Sequence, residues 1–339
     1  ATAYRKQLSI PVLAITGSNG KTTTKELITL VLAQKYKVYA TQGNLNNHIG
    51  VPLTILAIPP DCQLAIIELG ANHLQEIEEL CEIAEPDYGL ITNCGMDHLE
   101  GYGSLEAVIQ GNTELYDYLK AHDGLAFVHK DDEILQKQAQ GMAKKEFYPD
   151  QARIINNDFY ITASYKEQFT IKSQLIGDFN FINIACALKI GDYFKVPDAA
   201  AVAAIESYVP KNNRSQVVEK NGVRYILDAY NANPSSMELA LKSFAQIKAA
   251  KKAVILGDMF EMGDFAASEH RRMVALATAL PFDQVVFCGE EFERQSTEKG
   301  LYFKDRASLK AWFDQQDLQG YTILMKGSRG MALEKLLDN

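Results

Sequence analysis

Short apolar runs separated by helix-length amphipathic stretches organise the first half of the chain. Residues 12–15, 64–67, 89–92 and 125–128 are mostly apolar or β-branched, whereas 21–34, 74–83 and 105–119 repeat apolar residues at helical spacing. Runs this short, without polar alternation, predict strands covered on both faces, and their alternation with helices predicts a mostly parallel sheet. Residues 153–173 differ: polar and apolar positions alternate around turn formers, which predicts an antiparallel hairpin, inserted or at the sheet edge. Two helical stretches, "NFINIACALKIGDYF" and "DAAAVAAIESY", lead to the polar, turn-rich "PKNNR" at 210–214. Beyond it, strand-like "VRYILDAY", "KAVILGDM", "QVVFCG" and "YTILMKG" again alternate with helical segments. The expected fold is α/β: a phosphate-loop (P-loop) central domain with a mostly parallel sheet over residues 1–209, and a Rossmann-like α/β C-terminal domain over 210–339.

Composition narrows the class. At 339 residues, 47% hydrophobic and 23% charged, the chain has the make-up of an ordinary globular protein of two domains. No apolar run approaches a membrane span and "ATAYRKQLS" lacks a secretory hydrophobic region, so a cytoplasmic protein without membrane insertion is expected. Five cysteines without close pairing, Cys62, Cys81, Cys94, Cys186 and Cys288, predict buried thiols rather than disulfides or a zinc cluster. A net charge of -9 argues against a nucleic-acid surface but leaves room for a local basic pocket.

Such a pocket is written into "VLAITGSNGKTTTKELITLVL", which reads as strand, glycine turn and helix. Amides at a helix start favour an anion, Lys21 adds a mobile positive charge, and the Thr22 hydroxyl is a candidate Mg²⁺ ligand. A strict phosphate loop has four residues between its glycines. Here Gly17 and Gly20 enclose two, and Ile15 takes the earlier glycine position. Three further constellations fall where strands are expected to end, the edge at which open parallel sheets bind ligands. Glu68 in "LAIIELGANH" makes, with Thr22, a candidate Mg²⁺ site, and His98 in "DHLEGYGS" is a candidate for a second metal. Asn180 and Asn183, one turn apart in "GDFNFINIACAL", can read a heteroaromatic edge, although helix capping explains Asn180 equally well.

Taken in order, "ITGSNGKTTTKE", "GNLNNHIGVPLT", "IELGANH", "DHLEGYGS", "DAYNANPSSM", "LGDMFEMG" and "KGSRGM" resemble the Mur ligases over nearly the whole chain. The branch most similar joins D-alanyl-D-alanine (D-Ala-D-Ala) to UDP-MurNAc-tripeptide in peptidoglycan precursor synthesis. The resemblance implies ATP and Mg²⁺, an acyl-phosphate intermediate, and a monomer. Family members also carry an N-terminal uridine-binding domain, so the expected correspondence is to their central and C-terminal domains. Folylpolyglutamate synthase, of the same superfamily, is disfavoured by "NLNNHIGVPLT" and "DAYNANPSSM"; a nucleotide-binding regulatory module without ligase activity is the alternative from another class.

Carried over by position, the resemblance assigns Gly17, Ser18, Asn19, Gly20, Lys21, Thr22 and Thr23 to the nucleotide phosphates. It places Asn183 at adenine, Asp228 near the ribose and Arg214 at the inter-domain nucleotide site. Lys21, Glu68 and His98 are the implied catalytic residues, and Thr22, Glu68 and His98 the implied metal site. Asn46, Asn47, Asn231, Asn233, Ser236, Lys326 and Arg329 are implied to face the substrates. One departure stands out. Asn112 aligns with a lysine that many Mur ligases carbamylate to bridge metals, and Glu114 follows it.

Overall fold

The computed structural model describes residues 1–338. Its first sheet contains β1 (Val12–Thr16), β2 (Val38–Ala40), β3 (Leu64–Glu68), β4 (Tyr88–Ile91), β5 (Leu125–His129) and β6 (Lys145–Tyr148), in the order β2-β3-β1-β4-β5-β6. All five pairings are parallel. Both faces are covered, and the two-residue period of a strand divides its side chains between them. Leu13, Ile15, Leu64 and Ile66 pack on the side of the helices Lys21–Leu32 and Asp178–Tyr193. Val12, Ala14, Ala65 and Ile67 join the residues of Gly50–Leu56, Glu76–Ala84 and Leu105–Ala121 on the other. This is why the strands read as unbroken apolar runs.

The segment expected to form one hairpin continues into a third strand. β7 (Ala152–Asn156), β8 (Thr162–Tyr165) and β9 (Phe169–Lys172) make a separate antiparallel sheet, not hydrogen-bonded to the first. Left-handed Lys166 and Glu167 make the tight second turn, and Ala163, Tyr165 and Ile171 point into the first core.

The second large sheet holds β10 (Gln216–Lys220), β11 (Val223–Asp228), β12 (Lys251–Gly257), β13 (Gln284–Cys288), β14 (Leu301–Phe303) and β15 (Tyr321–Lys326), ordered β10-β11-β15-β12-β13-β14. Only β10 runs antiparallel, returning into β11 through the left-handed pair Asn221 and Gly222. The chain is thus α/β with two mostly parallel sheets, as its pattern predicts. A shared apolar cluster joins the lobes: Leu99, Tyr102, Val108 and Ile176 pack with Ile226, Met237, Leu241 and Phe244. With the lobes so joined, the C-terminal ends of β1, β3, β4, β11 and β15 border one cleft. All five cysteines are free and buried, and no helix among the described residues is long and apolar enough to cross a membrane.

Candidate functional site: a cleft between two sheet edges

β1 delivers the chain into a loop that closes on the start of the helix Lys21–Leu32. Gly17 sits at φ 127 against the end of β4; a Cβ there would lie 2.2 Å from Thr92 Oγ1 and 2.8 Å from its backbone nitrogen. Gly20, at φ 85, precedes the helix as its left-handed N-cap. The loop is braced from the segment after β4. Ser18 N–H donates to the Asn93 carbonyl (2.9 Å), Asn19 N–H to Asn93 Oδ1 (3.1 Å), and Gly95 N–H to Ser18 Oγ (2.9 Å). Lys21 curls back, its ammonium donating to the carbonyls of Gly17 and Ser18. Gly17→Ala combines an unfavourable backbone angle with steric overlap, so it should cost about 2–3 kcal/mol and abolish binding of nucleoside triphosphates. Urea denaturation and calorimetric titration with a non-hydrolysable ATP analogue check both effects.

Below this loop lies a charge cluster anchored on Glu68, the last residue of β3 and only 1% exposed. Its Oε1 accepts from Thr22 Oγ1 (3.3 Å) and from Asn46 Nδ2 (2.9 Å). Its Oε2 has no hydrogen-bond donor of good geometry but lies 3.1 Å from Lys25 Nζ. Carboxylate, hydroxyl and amide oxygens with a lone pair to spare suit a hard divalent cation such as Mg²⁺. Among the described residues no three His, Cys, Asp or Glu side chains form a ready-made ligand cluster, so such a cation would draw its remaining oxygens from phosphate and water.

His98 is the hub of a separate constellation on the same cleft. Its Nδ1 lies 2.5 Å from Glu261 Oε2, contributed by the second lobe, and its Nε2 lies 3.7 Å from Asp97 Oδ2. Burial of the imidazole favours its neutral form, but the adjoining Glu261 carboxylate and the Asp97 charge outweigh it and raise the pKa, with Lys21 opposing them. The same contact lowers that of Glu261. Asn112 does not take part. It is buried beside the C-terminal end of β1, its Oδ1 accepting from Thr16 Oγ1 (3.0 Å) and its Nδ2 donating to the Val108 carbonyl (2.9 Å). Glu114 is committed elsewhere, accepting from the amides of Gln75 (2.7 Å) and Glu78 (3.0 Å) at the start of the helix Glu76–Ala84.

The second lobe closes the cleft with polar groups from β11 and β15. Asp228 ends β11, its Oδ1 accepting from Ser215 N–H (3.1 Å) and its Oδ2 from Lys326 Nζ (2.6 Å). Arg214 stacks on Tyr230, 3.7 Å from the ring centroid. Opposite them, Asn183 donates to Asn180 Oδ1 (2.9 Å) and accepts from Thr24 Oγ1 (3.0 Å). Asn180 is not the helix cap: that place is Gly177's, and Asn180 Nδ2 instead reaches back to the Ile176 carbonyl (2.8 Å). Asn233 and Ser236 form a reciprocal capping box on the helix Pro234–Gln246, and Asn233 Nδ2 also donates to Asn19 Oδ1 (2.8 Å) in the phosphate loop. Asn47 folds its Oδ1 over the amides of Ile49 and Gly50, and Asn231 over that of Ala232.

The cleft measures about 430 Å³, within the range of small-molecule sites. Every sequence-predicted site residue lines it except Gly17 and Arg329. Gly17 lies behind the loop, against Thr92. Arg329 stands outside, its guanidinium 5.5 Å from the Tyr230 ring and 3.8 Å from Glu334. Sequence reasoning missed Asp97, Asn93, Phe179 and Tyr230, which also line the wall, and Lys25 and Glu261, which act on wall residues from behind or across. Glu261 does lie within the quoted "LGDMFEMG", and Lys25 is a lone charge on the buried face of its helix; those were the available signals.

Residues 15–191 match the Mur ligase middle domain and residues 213–329 the Mur ligase glutamate ligase domain. The UDP-N-acetylmuramoyl-tripeptide--D-alanyl-D-alanine ligase of Bacillus subtilis is 34% identical over 363 residues, an alignment covering 100% of this chain and 78% of that protein. Among solved structures, MurF ligase from Thermotoga maritima in complex with ADP superposes with a TM-score of 0.89 at 26% identity, covering 99% of this chain and 81% of the other. MurF from Acinetobacter baumannii gives 0.88 at 26% identity, with 99% and 78% covered. With two family domains matched in order and a 34% identical relative aligned over the whole of this chain, the chain belongs to the Mur ligase family.

Proposed function

We propose that this chain is an ATP-dependent ligase that joins D-alanyl-D-alanine to UDP-MurNAc-tripeptide, through an acyl phosphate, in peptidoglycan precursor synthesis. The observation that carries the reading is the placement of a phosphate loop from one lobe against Asp228, Arg214 and Lys326 of the other, across one cleft. The 34% identical relative supports the choice of substrates over those of folylpolyglutamate synthase. The ligase reading is favoured over a regulatory module because the cleft holds phosphate-binding groups together with a buried carboxylate, Glu68, at hydrogen-bonding distance of Thr22.

In the reaction, an oxygen of the tripeptide's terminal carboxylate attacks the γ-phosphorus of ATP and ADP leaves. The neutral amine of D-alanyl-D-alanine then attacks the acyl carbon, inorganic phosphate departs, and the nitrogen gives up a proton to yield the amide. A carboxylate alone has no adequate leaving oxygen; the acyl phosphate supplies one. Lys21 swings from the loop carbonyls to the phosphoryl oxygens, where its fixed charge opposes the negative charge that builds in the transition state. Loop amides from Ser18 to Thr23 hold the β- and γ-phosphates. Asn183 reads the adenine edge, Asp228 the ribose, and Arg214 the phosphates from across the cleft. Asn46, Asn47, Asn231 and Lys326 face the peptide, whereas Asn233 and Ser236 shape its entrance through the capping box, and Arg329 at the rim attracts a carboxylate. Thr22 and Glu68 would hold Mg²⁺, with His98 serving a second ion; when bound, the ions neutralise phosphate charge and align the γ-phosphoryl group. The two lobes correspond to domains over 1–209 and 210–339, in a cytoplasmic monomer.

The direct test is incubation of the chain with ATP, Mg²⁺, UDP-MurNAc-tripeptide and D-Ala-D-Ala. One ADP and one phosphate should appear per new amide, with the UDP-MurNAc-pentapeptide mass in the products. ATP hydrolysis without amide formation, under any combination of the two substrates, would defeat the assignment.

A further inference from the structure

We infer that Glu261, reaching across from the second lobe, is a positioning residue that fixes the His98 ring and thereby couples assembly of the metal site to the meeting of the two lobes. The inference rests on the proposed role of His98 at that site. A ring nitrogen that holds a metal is usually oriented by a carboxylate on the opposite nitrogen, which selects the tautomer and strengthens the ligand. Here Glu261 Oε2 lies against His98 Nδ1 at 2.5 Å, a close ion pair of poor hydrogen-bond geometry; among the described residues that buried nitrogen has no other partner, and the ring also faces the cleft. Asp97, 3.7 Å from Nε2, is too distant to compete for it directly.

The turn that carries Glu261 is built to present it. Met259 N–H donates to the buried His270 Nε2 (3.0 Å), and Phe260 N–H to Ser328 Oγ (2.8 Å). Met259 and Met262 are buried on either side. Glu261 itself adopts φ 60, so its carbonyl accepts from Glu100 N–H (3.1 Å) while its carboxylate turns to His98. Gly263, also left-handed, brings the turn against Glu100; a Cβ there would lie 3.3 Å from Glu100 Cα. The backbone of the turn thus docks the lobes and its side chain orients the imidazole. The Glu261 side chain is 55% exposed, and a half-exposed ion pair contributes little to stability. Its geometry therefore points to orientation of His98 rather than to holding the fold.

The test compares wild type with E261A and E261Q. Mn²⁺ affinity in the presence of saturating ADP, read by electron paramagnetic resonance, should fall about 10–100-fold in E261A, and E261Q, which keeps an acceptor oxygen, should recover most of it. In metal-free protein, the ¹⁵N shifts of the His98 ring should show Nδ1 protonated in wild type and E261Q but a mixture of tautomers in E261A, with equal urea midpoints for all three. Unchanged His98 shifts, or unchanged Mn²⁺ affinity, in E261A would overturn the inference. Failure of wild type itself to bind Mn²⁺ with ADP would instead defeat the reading of the cleft as a metal–nucleotide site, while the imidazole signals would still decide whether Glu261 positions His98.

Discussion

Lys21→Ala is expected to lower kcat/KM for ligation about 10²–10³-fold, equivalent to about 2.7–4 kcal/mol of lost transition-state stabilisation, without moving the urea midpoint. The second half of this expectation follows from what Lys21 does in the ligand-free protein. Among the described residues its ammonium hydrogen-bonds only to the carbonyls of Gly17 and Ser18, within its own loop, and it lies part-exposed on the cleft wall. The loop conformation is secured by other groups, notably Asn93 and Gly95. Truncation at Cβ therefore leaves the scaffold intact and removes a charge that acts only once phosphates are present. Steady-state phosphate release, paired with denaturation curves, checks both halves. Turnover within a few fold of wild type would mean that the ammonium does not reach the transferring phosphoryl group. A large drop in stability would mean that the curled lysine is part of the loop's architecture.

The parts of this site that can be read from sequence are those whose neighbours are close in the chain. Gly17, Gly20, Lys21 and Thr22 fall within six positions, and Glu68 announces itself by ending an apolar strand. The central strands are legible for the same reason, since covering both faces leaves an unbroken apolar run. β2, β6 and β14 were not foreseen: they are three or four residues long, and much of their surface is part-exposed or exposed. β10 was missed although Asn221 and Gly222 are a hairpin signal, because its side chains are all part-exposed or exposed and no apolar run marks it. The helix expected from residue 74 begins at Glu76, because Gln75 takes a left-handed φ of 71 to put its amide on Glu114. Long-range pairings leave no periodic trace at all. No spacing rule links His98 with Glu261, or Asn19 with Asn233, which meet only because two lobes dock. The opposite error also occurs: Asn233 and Ser236 invite a substrate role by their motif, yet their hydrogen bonds first satisfy the open amides of a helix start.

Lys25→Met should be the most destabilising single change in the cleft, by about 3–5 kcal/mol. Lys25 stands one helical turn beyond Lys21, but its ammonium points under the phosphate loop, 3.1 Å from Glu68 Oε2 and 3.2 Å from the Gly43 carbonyl. Both side chains of the pair are almost fully buried, at 4% and 2% exposure, so neither charge has water to fall back on. Methionine fills similar space without the charge, stranding a buried carboxylate whose remaining donors are one hydroxyl at 3.3 Å and one amide at 2.9 Å. Removing one partner of such a pair costs far more than removing both. The double variant Lys25→Met with Glu68→Gln should thus recover most of the loss, and a thermodynamic cycle in urea isolates the coupling. The same reasoning predicts a functional signature. In the free protein the ammonium offsets the Glu68 charge, and Mg²⁺ bound with ADP brings a second positive charge to that carboxylate. Mg²⁺–ADP should therefore stabilise Lys25→Met by more than it stabilises wild type. A single variant within about 1 kcal/mol of wild type would show that Glu68 is solvated or neutral. Equal stabilisation of both proteins by Mg²⁺–ADP would show that the cation binds elsewhere than at Glu68.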